Sequence, residues 1–256
     1  MPRKSPKKPT IIFIHGFRGT HYGLIDVASR LADDFMILTP DIPGSGTEPE
    51  LDHKTLDGYA EWLHQYIKDH KLKQPYIVGH SMGSIIVSHF VERYPDDVAH
   101  KVVLMAPIFR SRAHQKRSNF LYKAARGGLS ILSEKQQYRL LASHQLSYII
   151  SHILTYDKTQ QKRIDTLHCQ YSGQFASRDS FIGDMRLSMQ QQTVIPQDKD
   201  TLLCYGKHDR LVSYKYTEQL AASTGAQTER IDEGGHLINY ETPQRVADII
   251  RNFLQS

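Results

Sequence analysis

The chain has 256 residues, 39% of them hydrophobic and 23% charged, with a formal net charge of +5. That length supports one sizeable core, or one core with an insertion, and the balance is that of an ordinary globular protein. No apolar run approaches the roughly 20 residues of a membrane-spanning helix. The 2 cysteines give neither a disulfide framework nor a metal-binding spacing, and the 14 histidines include no pair spaced for zinc beside a helical glutamate.

Residues 1–9 are basic and Pro-rich, with Arg3, Lys4, Lys7 and Lys8. They lack the apolar centre of a secretion signal, so the expected location is the cytoplasm, with Cys169 and Cys204 as free thiols. Residues 10–15 (TIIFIH) then read as a strand, 21–32 as a helix and 35–40 as a second strand, followed by a loop from Asp41 to Gly46. Helix 55–71 carries Leu56, Tyr59, Ala60, Leu63, Tyr66 and Ile67 on one face. Strand 75–78, a helix over 84–94 stopped by Pro95, and strand 101–106 follow. Strands alternating with helices imply a parallel sheet with right-handed crossovers.

The alternation stops over 107–192, where amphipathic helices are expected instead. Ser133 and Gln136 form a capping-box pattern, and Leu146, Ile149, Ile150, Ile153 and Leu154 form a helical stripe. Asp157 and Asp179 are expected starts of two more helices. Strand 201–205, helix 213–224, strand 227–231 and helix 243–254 complete the chain. The expected organisation is therefore a basic tail (1–9), an α/β core (10–106 and 193–256) and a helical insertion (107–192). The core is a mostly parallel six-stranded sheet with helices on both faces.

Gly79-His80-Ser81-Met82-Gly83 reads G-x-S-x-G between a short apolar strand and a helix, the context of a nucleophile elbow. A serine hydroxyl needs a base to take its proton and an acid to orient that base. Asp209, in Gly206-Lys207-His208-Asp209, and His236, in Gly234-Gly235-His236, each follow a strand, where parallel sheets place ligands. Ser81, Asp209 and His236 occur in the Ser, Asp, His order of one fold class. Asp232 and Glu233 are rival acids, and His208 and His80 rival bases. For an oxyanion, the backbone N–H of Met82 is one expected donor and that of Phe17, in the loop after the first strand, the other.

These pieces resemble the α/β-hydrolase family, in its branch with a helical cap. The matching residues are His15-Gly16, Asp41-x-Pro43-Gly44-x-Gly46, the Ser81 pentapeptide, Gly206-x-x-Asp209, Gly235-His236 and Glu241-x-Pro243. The resemblance implies that the insertion covers the site and shapes its pocket, and that the Asp41 loop is structural. Members often begin with an antiparallel hairpin. Only nine residues precede the first strand here, so six strands, all parallel, are expected. Ser81 disfavours the reactions of relatives that attack with an aspartate at the elbow.

The insertion holds thirteen Lys/Arg against five Asp/Glu. Over 107–133 it has Arg110, Arg112, Lys116, Arg117, Lys123 and Arg126 and no acid. A solvated basic face is the plain reading; attraction to an anionic substrate or an anionic membrane surface is the sharper one. Nothing resembles a nucleic-acid reading motif. Phe109 and Leu237 are candidate pocket residues, and Phe120, Leu121 and Tyr122 interleave with the cations. The expected function is a serine hydrolase of a small-molecule ester or thioester, with no cofactor or metal. Carbon–carbon bond hydrolysis of a diketone-like compound, or a ligand receptor on the same scaffold, are the rival readings.

Overall fold

A computed structural model describes residues 8–256, apart from the side chain of Cys169. Of the expected basic tail, only Lys8 and Pro9 fall within the described residues. Strands β1 (Thr10–Ile14), β2 (Met36–Leu38), β3 (Tyr76–His80), β4 (Lys101–Met105), β5 (Asp200–Gly206) and β6 (Gln227–Ile231) form one sheet in the order β2-β1-β3-β4-β5-β6. Every pairing is parallel. The chain runs outward from β1 to β2, then returns to add β3 on the other side of β1. The gap beyond the carboxyl ends of β1 and β3 is thus the topological switch point, where such sheets hold ligands.

Alternate strand residues face opposite layers, as the pleat requires. Ile12, Ile14, Ile77, Val102, Leu104 and Leu203 pack with α2 (Leu56–Asp69) and α3 (Met82–Arg93). Ile11, Phe13, Val78, Val103, Leu202 and Cys204 pack with α1 (Ile25–Ser29) and α11 (Pro243–Gln255). Cys204 is a buried free thiol, pushed up to about 12 by that burial. The remaining core elements are α9 (Tyr214–Thr224) and the short α10 (Ile238–Glu241).

Between β4 and β5 lie α4 (Arg112–Leu129), α5 (Glu134–Leu141), α6 (His144–Leu154), α7 (Gln161–Tyr171) and α8 (Arg178–Gln190). The expected capping box at Ser133 and Gln136 starts α5. Asp157 caps a single 3-10 turn, accepting from the Thr159 N–H, and α7 begins only at Gln161. Asp179 lies inside the first turn of α8; the cap is Ser177, which accepts from the Ser180 N–H. Two core elements are also shorter than their patterns suggest. Phe35 spends its N–H on the Leu31 carbonyl in the turn after α1, so β2 begins at Met36. The first helix splits into a 3-10 turn (His21–Leu24) and α1, with the Gly23 carbonyl taken by the Asn239 side chain at 2.6 Å. No helix among the described residues is long and apolar enough to cross a membrane.

A buried ion pair joins the inserted helices to the core. Lys54 Nζ, ahead of α2, donates to Asp184 Oδ1 on α8 at 2.9 Å and to the Pro43 carbonyl at 2.7 Å. The Tyr59 hydroxyl donates to the same carboxylate oxygen at 2.5 Å. Burial raises both the Asp184 carboxyl and the Tyr59 phenol. Removing one member of such a pair strands a charge and typically costs ~3–5 kcal/mol, whereas an apolar replacement of both costs little. Asp184→Ala is expected to lose about that much stability in urea unfolding, and Lys54→Met with Asp184→Leu much less. A loss under ~1 kcal/mol for Asp184→Ala would mean that the pair is open to water.

Candidate active site

The turn from β3 into α3 has almost no room. A Cβ on Gly79 would stand 2.6 Å from the Gly83 carbonyl oxygen, and one on Gly83 would stand 2.2 Å from the Ile14 carbonyl oxygen. Both contacts are with backbone, which cannot step aside, so only glycine allows α3 to pack this close to β1 and β3. Between them Ser81 takes φ 53° and ψ −119°, a region that L-residues rarely occupy. Its N–H donates to the Met105 carbonyl at the end of β4 at 2.9 Å, and its carbonyl accepts from the Ser84 N–H and hydroxyl. The strained residue is thereby held from both sides. Its hydroxyl points across the sheet ends toward His236.

Ser81 Oγ lies 2.9 Å from His236 Nε2, and His236 Nδ1 lies 2.7 Å from Asp209 Oδ2. The carboxylate can only accept, so Nδ1 carries the proton and Nε2 offers its lone pair to the serine. Asp209 Oδ1 accepts the N–H groups of Leu211 (2.7 Å) and Val212 (3.0 Å), which leaves Oδ2 to the imidazole. All three side chains are buried.

The rival residues have other partners. His80 Nε2–H donates to the His236 carbonyl at 3.3 Å, and burial pushes that imidazole down to about 3. His208 stacks flat on Tyr156, with ring centres 3.6 Å apart. Asp232 is an exposed partner of Arg230 and Lys207, and Glu233 is exposed. His15 accepts the Ile42 N–H on Nε2 and donates from Nδ1 to the Gly16 carbonyl, so it is a neutral brace of the first loop. Asp41 accepts from the His21 backbone and ring, a structural role.

A cleft of about 870 Å³ opens over Ser81. The expected pocket residue Leu237 lines it; Phe109 does not. Phe109 lies in the core packed with α2 and α3, while its neighbours Ile108 and Arg110 face the cleft, as an extended segment requires. Phe17 lies in the cleft wall with its ring 5.1 Å from that of Phe181. A Cβ on Gly16 would stand 2.9 Å from Ser81 Cβ, so this loop runs directly beside the serine. Met82 is the first residue of α3, where a backbone N–H has no partner within the helix.

A profile of the alpha/beta hydrolase fold family matches residues 9–243. The chain belongs to that family. Among its relatives, monoacylglycerol lipase ABHD6 of Homo sapiens is 25% identical over 276 aligned residues, which cover 97% of this chain and 76% of the lipase. Two solved structures share the fold. A thermophilic esterase of Thermogutta terrifontis superposes with TM-score 0.76 at 18% identity, covering 97% of this α/β hydrolase and 90% of the esterase. The 2-hydroxy-6-oxo-6-phenylhexa-2,4-dienoate hydrolase of Rhodococcus sp. strain RHA1 has TM-score 0.70 at 18% identity, with coverage of 98% and 92%.

Three features of the cleft escape motif reading. Arg18 is buried with φ 63°, and its guanidinium reaches the Leu141 carbonyl (2.5 Å) and the Ser147 hydroxyl (2.7 Å). Nothing in its local sequence marks an arginine for burial. Ile150, Ile153 and Leu154 line the cleft, so the α6 stripe serves the site as well as the packing. Arg110 also lines it, and burial brings its guanidinium down to about 10, still charged near neutral pH. The elbow itself yields a direct test. Gly83→Ala is expected to cost ~1–3 kcal/mol in urea unfolding, the usual penalty of overpacking. Unchanged stability would mean that α3 can slide off the Ile14 carbonyl.

Proposed function

We propose that this α/β hydrolase is a serine hydrolase of a small-molecule carboxylic ester or thioester. The observation that carries the reading is the unbroken hydrogen-bonded chain from Ser81 through His236 to Asp209 at the carboxyl ends of three parallel strands. His236 takes the serine proton as Oγ attacks the substrate carbonyl. Asp209 holds the ring in the required tautomer and offsets its positive charge. The oxyanion is received by the N–H groups of Met82 and Phe17, the first at a helix N-terminus and the second in the loop beside Ser81. His236 returns its proton to the leaving alcohol or thiol, and water repeats the cycle on the acyl-enzyme. The likeness to a monoacylglycerol lipase supports ester cleavage.

The cleft mouth supports a substrate class. Leu121 (46% exposed), Ile153 (49%) and Leu211 (55%) stand there with Arg117 and Arg210. Among the described residues Asp209 is the only acid in the cleft lining, and both its oxygens are occupied. Apolar walls under a cationic rim suit an acyl ester that also bears a negative charge. Phe120, 69% exposed on the basic α4, gives the inserted helices a face suited to an anionic surface as well.

A fluorophosphonate probe is expected to label Ser81. Ser81→Ala should abolish labelling and lower turnover of nitrophenyl esters by about 10⁴- to 10⁶-fold. Asp209→Asn should lower turnover by about 10³- to 10⁴-fold through the wrong tautomer, and Asp232→Asn hardly at all. Label on another residue, or the reverse order of the two aspartates, would refute the assignment. Cleavage of a diketone in place of every ester and thioester would replace the reaction.

For the rim, Arg117→Glu with Arg210→Glu should lower kcat/KM for an anionic ester by about 10-fold at low salt. The value for a neutral ester should stay within about twofold. Salt should erode the wild-type preference, because exposed charges are screened over ~8–10 Å at physiological ionic strength. Equal treatment of both esters by the variant and wild type would reduce the cations to a solvated face.

A further inference from the structure

The loop that carries His236 is not held by the sheet alone. Glu241, on α10, is buried and aims its carboxylate back at that loop. Its Oε2 accepts the Gly235 N–H at 2.7 Å, one residue before the imidazole. Its Oε1 accepts the N–H groups of Tyr156 (2.6 Å) and Asp157 (2.9 Å), just past the end of α6. The same short segment returns a second bond: the His236 N–H donates to the Leu154 carbonyl at 3.1 Å. Residues 154–157 also reach the acid's loop. Tyr156 stacks on His208, next to Asp209, with ring planes 8° apart, and the His208 N–H donates to the Gly234 carbonyl at 3.0 Å.

Three donors from two separate backbone segments meet one carboxylate. Burial raises the Glu241 carboxyl, while the three N–H groups oppose that rise by favouring the charged form. Only the anion can accept on both oxygens without turning a proton toward a donor.

We propose that Glu241 is a positioning residue, which fastens the His236 loop to the segment after α6 and so makes alignment of the base on Ser81 depend on how the inserted helices sit. The inference rests on the assignment of His236 as the base. The structure couples that base to a segment of the insertion by two routes, Glu241 and the Leu154 carbonyl. Movement of α6 therefore carries the imidazole with it, and the aspartate loop is drawn along by the Tyr156–His208 stack.

Glu241→Gln keeps the size of the side chain but turns an amide N–H₂ toward at least one of the three donors. A displacement of the base by about 1 Å costs on the order of 10² in rate. The variant should lose about that factor in kcat for a nitrophenyl ester, with KM within about twofold. The far-downfield proton signal of the His236–Asp209 hydrogen bond should broaden or vanish in the same protein. Asp157→Pro is the second variant. Asp157 has φ −74°, which proline matches, so this change deletes one donor to Glu241, together with the Asp157 cap on Thr159, and leaves the Glu241 carboxylate intact. It should produce a smaller loss, about 10-fold, with the same split between kcat and KM, and it serves alone if Glu241→Gln does not fold. A merely structural role would lower the melting temperature and leave kcat and the proton signal of the folded fraction unchanged, and that result would overturn the proposal. Absence of Ser81 labelling and of ester hydrolysis in the wild type is a different failure: it removes the hydrolase reading, and this proposal with it.

Discussion

The contact of α3 with the carboxyl ends of β1 and β3 constrains the rest of the molecule. Gly83 lies against the Ile14 carbonyl and Gly79 against Gly83, at distances that exclude any side chain. With the helix this close, the residue between strand and helix cannot relax, and Ser81 is forced to a positive φ. That strain costs on the order of 1–3 kcal/mol. Burial of Met82, Ile86, Val87 and Phe90 against Ile12, Ile14 and Leu104 offsets it. The Ser81 hydroxyl is thus held in place by the packing of the core as well as by the backbone bonds of its own turn. The sheet order adds the rest: β1, β3 and β5 end on the same side, so loops far apart in sequence meet above one serine.

Buried hydrogen-bonding groups then restrict each partner to one state. Asp209 has one oxygen filled by backbone and one left for His236. His80 is kept neutral by burial and sits under the His236 carbonyl, where a charge would repel an imidazolium. His15 is locked as a neutral tautomer by one donor and one acceptor. Of the histidines around the serine, His236 alone pairs with both a carboxylate and the serine hydroxyl.

Much of this was legible in the sequence because it depends on local chemistry. The six strands and their parallel pairing follow from apolar runs alternating with amphipathic helices. The elbow follows from Gly79, Ser81 and Gly83 between such elements. The failures come partly from competing local bonds and partly from tertiary contact. Phe35 looks like strand and is spent on a turn; Asp157 caps only a 3-10 turn ahead of α7, and Ser177 rather than Asp179 caps α8. Phe109 looks like a pocket residue beside its cations, yet strand-like alternation turns it into the core and leaves Ile108 and Arg110 for the cleft. Glu241 appeared in a pattern, Glu241-x-Pro243, without its purpose. Its partners Tyr156 and Asp157 are more than eighty residues away, and no spacing rule reaches them.

The inserted helices are seated by buried charged side chains as well as by apolar packing. Their own apolar clusters are small, one around Phe175 and Phe181 and one around Ile164 and Leu237, beside the two large layers of the core. Charged side chains fasten them to the core, Arg18, Lys54 and Glu241 among them. Arg18 reaches the Leu141 carbonyl and Ser147, Lys54 reaches Asp184, and Glu241 reaches Tyr156 and Asp157. Each is buried, so each carries a desolvation cost that apolar residues of the same size would avoid. What charge adds is direction. An apolar contact tolerates sliding by an ångström, whereas a hydrogen bond at 2.5–2.9 Å does not. Because the cleft lies between core and insertion, a slide would change the distance from Ile150, Ile153 and Leu154 to Ser81. Directional fastenings at separate points of the core oppose that slide.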